Sequence, residues 1–481
     1  MKPGLLNCDT NGRLFIILAK TNRPDPRFIL SRAGADAPQS FAWDLKNLGP
    51  NSKLSLAEQG FGFPCPKLSD LFTSRSASFS LQAVFDSNPD LRSANAPGNL
   101  FSRPQPFRWE SPGPQLVKIE LTEQIPPEKL PAETEYLKFI KLQSKLLTQF
   151  HGRPIFLRAG IVLPKDFERE PDRRYPLCIR IGGLNARYLT TQNLMAPKSE
   201  FRKTWLANDT PRFILLHLDG AGPLGDPYQV NSANSGPYGD ALVQELIPFV
   251  EEKFRARAQP HARVLCGTST GGWVCLALQI FYSDFFNGAW ASCPDPVDFR
   301  ALELLDVYHE TNAYMDKERN EHPSERDGHG RVVLTMRREV GVENLLGRGN
   351  SYTLSGQQWG AWNATFSPRG FDGLPLPLWD PQTGNINADV ARQWEKYDLR
   401  LILERNWSTL GPKLRGKLHI ASGEADQYYL NNAVHRLDES LAKATPPADA
   451  KIVYGPGKLH GWSNLSLLQM LNEMQAACGS P

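Results

Sequence analysis

The chain lacks any long apolar run, and none of its hydrophobic stretches approaches the roughly 20 residues that a membrane-spanning helix requires. It also lacks an excess of either charge, since 54 Lys and Arg stand against 51 Asp and Glu and leave a formal net charge of +3. A balance of this kind does not favour nucleic acid or an anionic membrane as a partner. We therefore predict a protein without a membrane span and without a nucleic-acid partner.

Cysteine is scarce, and its spacing does not indicate a metal site. The seven cysteines are an odd number, so at least one is unpaired, and the chain contains neither Cys-x-x-Cys nor His-Glu-x-x-His. Cys266 and Cys275 lie in apolar runs, where a free cysteine packs as a small core residue. We predict no bound metal. Residues 1–8 lack the apolar core of a signal peptide, so the sequence does not predict export.

Two glycine-rich segments match phosphate-binding patterns only superficially. Residues 220–225 fit Gly-x-Gly-x-x-Gly, but Pro223 and Pro227 prevent the segment from opening directly into a helix. Residues 411–417 match a phosphate loop, but Leu418 stands where such a loop needs Ser or Thr, and we interpret the segment as a loop before a strand. We therefore predict no cofactor.

A chain of 481 residues exceeds what one core usually organises, so two domains are expected. In residues 1–130, the β-rich runs 14–18, 79–85 and 117–121 are separated by Pro, Gly, Ser and Asn, which predicts a β-sandwich-like module. The charged, proline-rich stretch 126–133 is the predicted linker. The module either shapes one wall of a cleft or binds a carbohydrate or polymer.

Residues 131–481 alternate between apolar runs and helical patterns, which predicts a doubly wound α/β catalytic domain. The runs predicted to be strands are 176–181, 213–218, 264–266, 418–421 and 452–454. Their near-continuous apolar character is typical of strands buried on both faces of a mostly parallel sheet. Between them, residues 240–254 show helical spacing with an expected kink at Pro248.

The most informative local signal is a serine on a tight turn. An apolar run leads into Gly-Thr-Ser-Thr-Gly-Gly at residues 267–272, and an apolar helical pattern follows. A strand, a strained turn and a helix would expose the hydroxyl of Ser269, and the small flanking residues would let strand and helix approach closely. The same turn directs the backbone amide of Thr270 toward the position of a developing oxyanion. We predict Ser269 as the nucleophile and Thr270 as an oxyanion donor.

A serine nucleophile needs a base and an orienting acid, which in this fold class follow it in the order acid, then histidine. Glu424 and Asp426 lie on the loop after one predicted strand, and His460 comes shortly after the next. Open α/β sheets collect reactive groups at these positions. We predict His460 as the base, since His435 lies in a predicted helix. Asp426 is preferred to Glu424 as the acid because it lies nearer the next helix.

These segments resemble the putative esterase group of α/β-hydrolases, which includes esterase D, feruloyl esterases and enterochelin esterase. The resemblance covers roughly residues 150–475 and extends to segments 175–177, 231–240, 245–248 and 294–299. It implies the α/β-hydrolase fold and hydrolysis of carboxylic esters through an acyl-enzyme, with a small-molecule or polymer-linked ester as substrate. Many relatives carry His-Gly where this chain has Gly182 and Gly183, so the second oxyanion donor is either Gly183 or Leu184.

Residues 300–410 exceed an ordinary crossover and predict a cap over the active site. Its aromatic residues either form an acyl or aryl pocket or anchor the cap to the sheet; they are Tyr352, Trp359, Trp362, Phe366, Phe371 and Trp379. Aromatic (feruloyl-type), short-chain, siderophore and synthetic polyester substrates all remain open. A peptidase or an acyltransferase would use the same triad, and a silent glycan- or polymer-binding protein is the alternative outside enzymes. The resemblance favours a secreted or periplasmic location.

Overall fold

A computed structural model describes residues 11–49, 60–66, 76–110 and 116–479. Residues 1–8, on which the signal-peptide prediction depends, lie outside the described residues. In the described part of the chain, no helix combines the length and apolar character needed to cross a membrane.

An antiparallel sheet forms the N-terminal module. Its strands are β1 Gly12–Ala19, β2 Gln39–Leu45, β3 Phe61–Phe63, β4 Ser76–Asp86, β5 Leu100–Phe101, β6 Gln105–Glu110 and β7 Glu123–Gln124. They lie in the order β3-β2-β1-β4-β5-β7, and β6 pairs with the early half of the long β4. Both faces are packed, since Phe15 and Ile17 of β1 join one apolar cluster while Leu14 and Leu18 join others. The predicted N-terminal β module is confirmed.

One predicted strand of this module is wrong. Residues 117–121 are irregular, and the short β7 that follows them pairs with β5 instead. Val117 is exposed, and Lys118 and Glu120 form an exposed ion pair of 2.8 Å, whereas Ile119 and Leu121 pack against the module's apolar clusters. The segment alternates as predicted, but in the described part of the chain no strand lies beside it to form a ladder. The predicted linker, residues 126–133, has neither helix nor strand.

The second sheet organises the rest of the chain. Its strands are β8 Leu137–Gln143, β9 Phe156–Val162, β10 Leu177–Ile181, β11 Ile214–Leu218, β14 Arg263–Ser269, β15 Ala289–Pro294, β18 Leu418–Gly423 and β19 Ala450–Gly455. They lie in the order β19-β18-β15-β14-β10-β11-β9-β8. The pairs from β19 through β11 are parallel, whereas β9, near one edge, pairs antiparallel with both of its neighbours, β11 and β8. Every strand predicted for this domain is present.

Two short hairpins lie outside this sheet: β12 Asn231–Ser232 with β13 Gly236–Pro237, and β16 Pro323–Arg326 with β17 Val332–Thr335. The α-helices are α1 Lys145–His151, α2 Thr191–Leu194, α3 Glu200–Trp205, α4 Tyr238–Ala241, α5 Ile247–Lys253, α6 Thr270–Phe281, α7 Met336–Leu346, α8 Gln358–Phe366, α9 Ala388–Trp394, α10 Leu399–Leu414, α11 Asn431–Lys443 and α12 Leu467–Cys478. Single 3₁₀ turns occupy Pro26–Phe28, Phe167–Arg169, Tyr188–Thr190, Pro260–Ala262, Phe299–Ala301, Arg348–Asn350, Tyr352–Leu354 and Glu395–Tyr397.

Helices cover both faces of the large sheet, which confirms the doubly wound α/β class. α5, α6 and α11 contribute to the main apolar cluster on one face, while α3 and α12 pack against the other. The helix predicted over 240–254 is interrupted by a π-helical turn, Leu242–Leu246, and Pro248 lies in the first turn of α5. The predicted loop at 411–417 is partly wrong, because α10 continues through Pro412 to Leu414.

The predicted cap region contains β16, β17, α7, α8 and α9, and its aromatic residues anchor it. Tyr352 stacks on Trp379 with ring centroids 5.0 Å apart. Phe366 lies 5.1 Å from Trp273 of α6, so the cap packs directly on the helix behind the nucleophile turn. Trp359 and Trp362 are also buried, whereas Phe371 is fully exposed. The anchoring interpretation therefore holds for the buried members of this set.

The N-terminal module packs against the cap. The buried Arg13 of β1 pairs with Asp44 at 3.0 Å, and its Nε donates to the carbonyl oxygen of Leu345 at 2.9 Å. Its Nη2 donates to Asn350 Oδ1 at 2.9 Å. One arginine thus joins the module's central strand to the end of α7. The division into 1–130, 131–481 and a cap at 300–410 remains a prediction.

Candidate active site

The turn between β14 and α6 presents Ser269 in a strained conformation. Its φ of +60° with ψ of −126° is a region that side chains other than glycine rarely adopt. The strand and helix on either side meet closely, since a Cβ added to Gly267 would lie 2.3 Å from the carbonyl oxygen of Gly271. A Cβ on Gly271 would lie 2.2 Å from the carbonyl oxygen of Ile181. The close approach of strand and helix therefore requires glycine at both positions, as the sequence predicted.

The ends of β18 and β19 place a carboxylate against an imidazole. Asp426 is fully buried on the loop after β18, and its Oδ2 lies 2.8 Å from Nδ1 of His460 on the loop after β19. The backbone amide of His460 donates to Gln427 Oε1 at 2.7 Å, and the ring of Tyr428 lies edge-on at 5.1 Å. Because Nδ1 is held by Asp426, Nε2 is the ring nitrogen that can exchange a proton with a reacting group.

The alternative acid, Glu424, lies elsewhere. Its carboxylate pairs with Nε2 of His435 on α11 at 3.1 Å. The structure therefore brings Asp426, and not Glu424, against His460, and it places His435 in a helix as the sequence predicted.

A second carboxylate lies beside the serine. Asp295 directly follows Pro294, the last residue of β15, and its Oδ1 accepts a hydrogen bond from the Ser269 hydroxyl at 3.3 Å. Within the described residues, no hydrogen bond joins Ser269 to His460. From the sequence, residues 294–299 support only the esterase resemblance, and no role is predicted for Asp295. The available signal was its position, directly after the strand that follows the nucleophile turn.

Asp295 is held by several donors. Its Oδ2 accepts the Tyr228 hydroxyl at 2.5 Å and the Thr270 hydroxyl at 2.9 Å. From the cap, Gln358 Nε2 and the ring nitrogen of Trp362 each lie 3.3 Å from the same oxygen. The cap therefore reaches the active site through two side chains of α8 that converge on one carboxylate.

The electrostatics of the site favour a positively charged imidazole. Burial alone lowers the pKa of His460, but the hydrogen bond and charge of Asp426, together with the charge of Asp295, raise it above its ordinary value. Burial raises the pKa of Asp295, although the hydrogen bonds from Tyr228 and Thr270 oppose this. Burial also raises the pKa of the nearby Glu303 well above its usual range, and the charges of Glu339 and of the two active-site aspartates act in the same direction.

The predicted oxyanion donors border the serine. Thr270 is the first residue of α6, so its amide belongs to the unpaired N-terminal end of that helix. A Cβ added to Gly183 would lie 4.0 Å from Cβ of Ser269. In the described structure, the amides of Gly183 and Leu184 donate to no protein acceptor. The loop that carries them is fixed by Asn185, whose amide donates to Asp226 Oδ2 at 3.0 Å.

The cysteines and possible metal ligands add no separate centre. All six cysteines in the described ranges are free, and the sulfurs of Cys178 and Cys266 lie 3.6 Å apart. Cys293, Asp426 and His460 place ligand atoms within 4.8 Å of one another. Since the carboxylate and imidazole of that group already bind each other at 2.8 Å, an ion would have to displace their hydrogen bond. The absence of a metal remains a prediction.

A doubly wound sheet of this strand order, with a serine on the turn between β14 and α6, defines an α/β-hydrolase. Residues 157–372 match the model of the family described as "Putative esterase". The protein is a carboxylic ester hydrolase of the α/β-hydrolase type, as the sequence resemblance implied.

Three solved structures are similar to this chain over much of their length but share little sequence with it. A ferulic acid esterase is 13% identical with a TM-score of 0.41, over 67% of this chain and 90% of its own. An S-formylglutathione hydrolase from Agrobacterium tumefaciens is 12% identical with a TM-score of 0.38, over 68% of this chain and 91% of its own. FphF, a fluorophosphonate-binding serine hydrolase of Staphylococcus aureus, is 12% identical with a TM-score of 0.41, over 72% and 98%. No curated protein matches the chain.

Proposed function

We propose that the protein is a serine esterase in which Ser269 is the nucleophile, His460 the general base and Asp426 the orienting acid. The observation that carries this proposal is the 2.8 Å contact between Asp426 Oδ2 and His460 Nδ1, at the sheet edge that also presents the strained Ser269. A buried carboxylate on Nδ1 fixes the imidazole tautomer and stabilises its protonated form, which is what a base for a serine needs.

The reaction begins when the Ser269 hydroxyl turns from Asp295 toward His460. Nε2 of His460 takes the hydroxyl proton while Oγ forms a bond to the ester carbonyl carbon. The amide of Thr270, with that of Gly183 or Leu184, stabilises the negative oxygen of the tetrahedral intermediate. Collapse breaks the bond to the alcohol, which leaves with the proton from His460. Water, deprotonated by the same imidazole, then releases the acid and restores Ser269.

Asp295 is a positioning residue in this scheme. It accepts the Ser269 hydroxyl at 3.3 Å in the resting site and holds Thr270, whose amide is an oxyanion donor, through a side-chain bond of 2.9 Å. Its charge also supports the protonated His460, as Asp426 does. The serine therefore has a defined resting partner and reaches the base by rotating its side chain.

The proposed substrates are aromatic (feruloyl-type) or short-chain esters. Tyr428 contacts the His460 ring and is 36% exposed, and the neighbouring Leu459 is 42% exposed. These side chains offer an aromatic and aliphatic surface beside the base, where part of an ester would lie. By contrast, the aromatic residues of the cap that pack on each other are buried, so they do not supply that surface.

Hydrolysis of p-nitrophenyl acetate, butyrate and octanoate and of methyl ferulate tests the proposal. Ser269→Ala should lower kcat by about 10⁴ to 10⁶, and Asp426→Asn by about 10³ to 10⁴. Glu424→Gln should change kcat by less than about twofold, because Glu424 pairs with His435. Ser463→Ala, an exposed serine near His460, is the matched control for Ser269.

Near wild-type turnover in Ser269→Ala would contradict the proposal, and equal mild losses in the two acid variants would show that Asp426 is not the acid. If the wild-type protein hydrolyses none of the esters, the substrate proposal fails. A peptidase, an acyltransferase or a binding protein would then be the better interpretation.

A further inference from the structure

A cleft lies between the N-terminal module and the cap, away from the proposed catalytic residues. It has a volume of about 90 Å³ and opens to solvent. The module contributes Arg27, Phe28, Asp86 and Arg92 to its walls, and the cap contributes Arg348. We call it the module–cap cleft. Since Ser269, Asp426 and His460 do not line it, ligand binding here and ester hydrolysis can be measured separately.

The side chains that line the module–cap cleft carry more positive than negative charge, although Arg27 also pairs with Asp25, which is not part of the lining, at 3.7 Å. Three guanidinium groups, those of Arg27, Arg92 and Arg348, line it together with the single carboxylate of Asp86. That carboxylate accepts from the amide of Asn88 at 3.3 Å, and within the described residues it forms no ion pair of 4 Å or less with any of the three arginines. The walls therefore carry an excess of positive charge.

Each of the three arginines has a buried donor without a hydrogen-bond acceptor. That of Arg27, its Nε, lies 3.7 Å from Asp25 Oδ2 in an ion pair, whereas Arg92 and Arg348 form no ion pair within the described residues. Nη1 of Arg92 and Nε of Arg348 are both inaccessible and donate to nothing in the described part of the chain. The Arg92 guanidinium is held in place by its Nε, which donates to the carbonyl oxygen of Pro223 at 2.9 Å. Burial and the charge of Arg348 lower the pKa of Arg92. Buried donors left unpaired are costly, and in folded proteins such groups are satisfied by protein acceptors, ordered water or a bound ion.

Arg27 completes the wall but is already engaged. Its Nη1 donates to Asn95 Oδ1, and its guanidinium carbon lies 4.0 Å from the ring centroid of Phe28. Phe28 is itself exposed, and Leu30 lines the cleft beside it. An apolar surface therefore adjoins the two arginines without an ion pair.

We propose that the module–cap cleft binds a small organic anion, whose carboxylate or phosphate group is bound by Arg92 and Arg348 and whose apolar body packs on Phe28 and Leu30. The guanidinium donors suit both anionic groups, because their planar arrangement matches paired oxygen acceptors. An anion would supply the acceptors that the protein lacks and reduce the repulsion between the two cations.

Isothermal titration calorimetry with phenyl phosphate, benzoate and the neutral benzyl alcohol tests this site on the full chain. We expect saturable binding of at least one anion, weakened about tenfold or more in Arg348→Gln and further in the Arg92→Gln, Arg348→Gln double variant. Comparing phenyl phosphate with benzoate tells which anionic group is preferred. Arg392→Gln, an exposed arginine on α9, is the matched control and should bind like wild type. Ser269→Ala should also bind like wild type, whatever its activity.

Three results would overturn the proposal: no binding of either anion by the wild-type chain, equal binding of benzyl alcohol, or unchanged affinity in the arginine variants. Circular dichroism and thermal melting check that the variants fold. If the double variant does not, the single variants Arg348→Gln and Arg348→Lys decide. Both should bind the anion more weakly than wild type, because lysine keeps the charge but lacks the Nε donor and the planar set of donors.

Discussion

At the scale of single residues, two carboxylates affect the imidazole of His460 in different ways. Asp426 binds His460 directly, whereas Asp295 binds Ser269 and influences His460 only through its charge. Asp295 is surrounded by donors from three different parts of the chain, so its position is well determined. The effect of the Asp295 charge on the pKa of His460 can therefore be measured separately from the Asp426 hydrogen bond, through the pH dependence of activity.

Asp295→Asn should move the acidic limb of the kcat/KM profile to lower pH. In the proposed mechanism the base His460 must be neutral, so activity should rise as pH increases through its pKa, which lies above its ordinary value in the folded protein. Removing the charge of Asp295 removes one of the groups that raise this pKa, and the limb should shift down. The profile is measured on p-nitrophenyl butyrate. Glu424→Gln is the control, since it removes a charge from the loop that carries Asp426. An unmoved or upward-shifted limb would contradict this account.

At the scale of elements, the active site depends on how closely α6 approaches β14 and β10. The backbone of Gly271 lies so near the carbonyl oxygen of Ile181 that a methyl group would be only 2.2 Å from it. Because both neighbours are backbone in buried elements, little relaxation is available. The position of Ser269 and of the Thr270 amide is set by this contact.

Gly271→Ala should destabilise the protein by about 1 to 3 kcal/mol and lower kcat as well, because overpacking displaces α6 from the sheet. Guanidinium denaturation and ester hydrolysis provide the two readouts. Gly49→Ala is the matched control, since an added Cβ there meets its nearest atom at 3.9 Å. Wild-type stability in Gly271→Ala would show that the strand and helix can separate without cost.

The elements of the large sheet could be predicted from the sequence because their signals are local. A strand buried on both faces is apolar throughout, and the serine turn combines a strand, small residues and a helix within about 20 residues. The order of acid and histidine along the chain predicts Asp426 and His460 as partners, and the structure places their side chains 2.8 Å apart, while their catalytic roles remain a proposal. The strand predicted at 117–121 is wrong because an alternating pattern does not show whether a neighbouring strand is there to pair with it.

Contacts between distant segments could not be predicted in this way. Asp295 acquires its importance only when Tyr228 and the cap residues Gln358 and Trp362 reach it. Likewise, no pattern distinguishes aromatic residues that line a pocket from those that anchor a cap. That difference depends on packing against α6, which the sequence does not encode locally.

At the scale of the whole molecule, the N-terminal module and the cap share a buried charged contact. Arg13 is inaccessible, and its donors are divided between Asp44 of its own sheet and the cap residues Leu345 and Asn350. Such a side chain stabilises the assembly only while all its acceptors are in place.

Arg13→Met should destabilise the protein by about 3 to 5 kcal/mol, because the carbonyl oxygen of Leu345 and the carboxylate of Asp44 lose their buried donor together. Thermal melting followed by both circular dichroism and activity measures the loss. Arg103→Met, which removes an exposed arginine paired with Glu123 in the same module, is the control and should change stability little. Equal losses of stability in Arg13→Met and Arg103→Met would show that the buried Arg13 contact contributes no more to stability than an exposed ion pair.

The anchoring of the cap also determines what can be exchanged between enzymes of this architecture. Since the cap is attached to the module through Arg13 and to α6 through Phe366, it has two fixed sides and no free hinge among these contacts. If the cap were moved into another α/β-hydrolase without the module, the carbonyl oxygen of Leu345 on α7 would lose its hydrogen bond from Arg13. The module, the cap and α6 should therefore be exchanged together, with the junctions of a chimera placed outside all three.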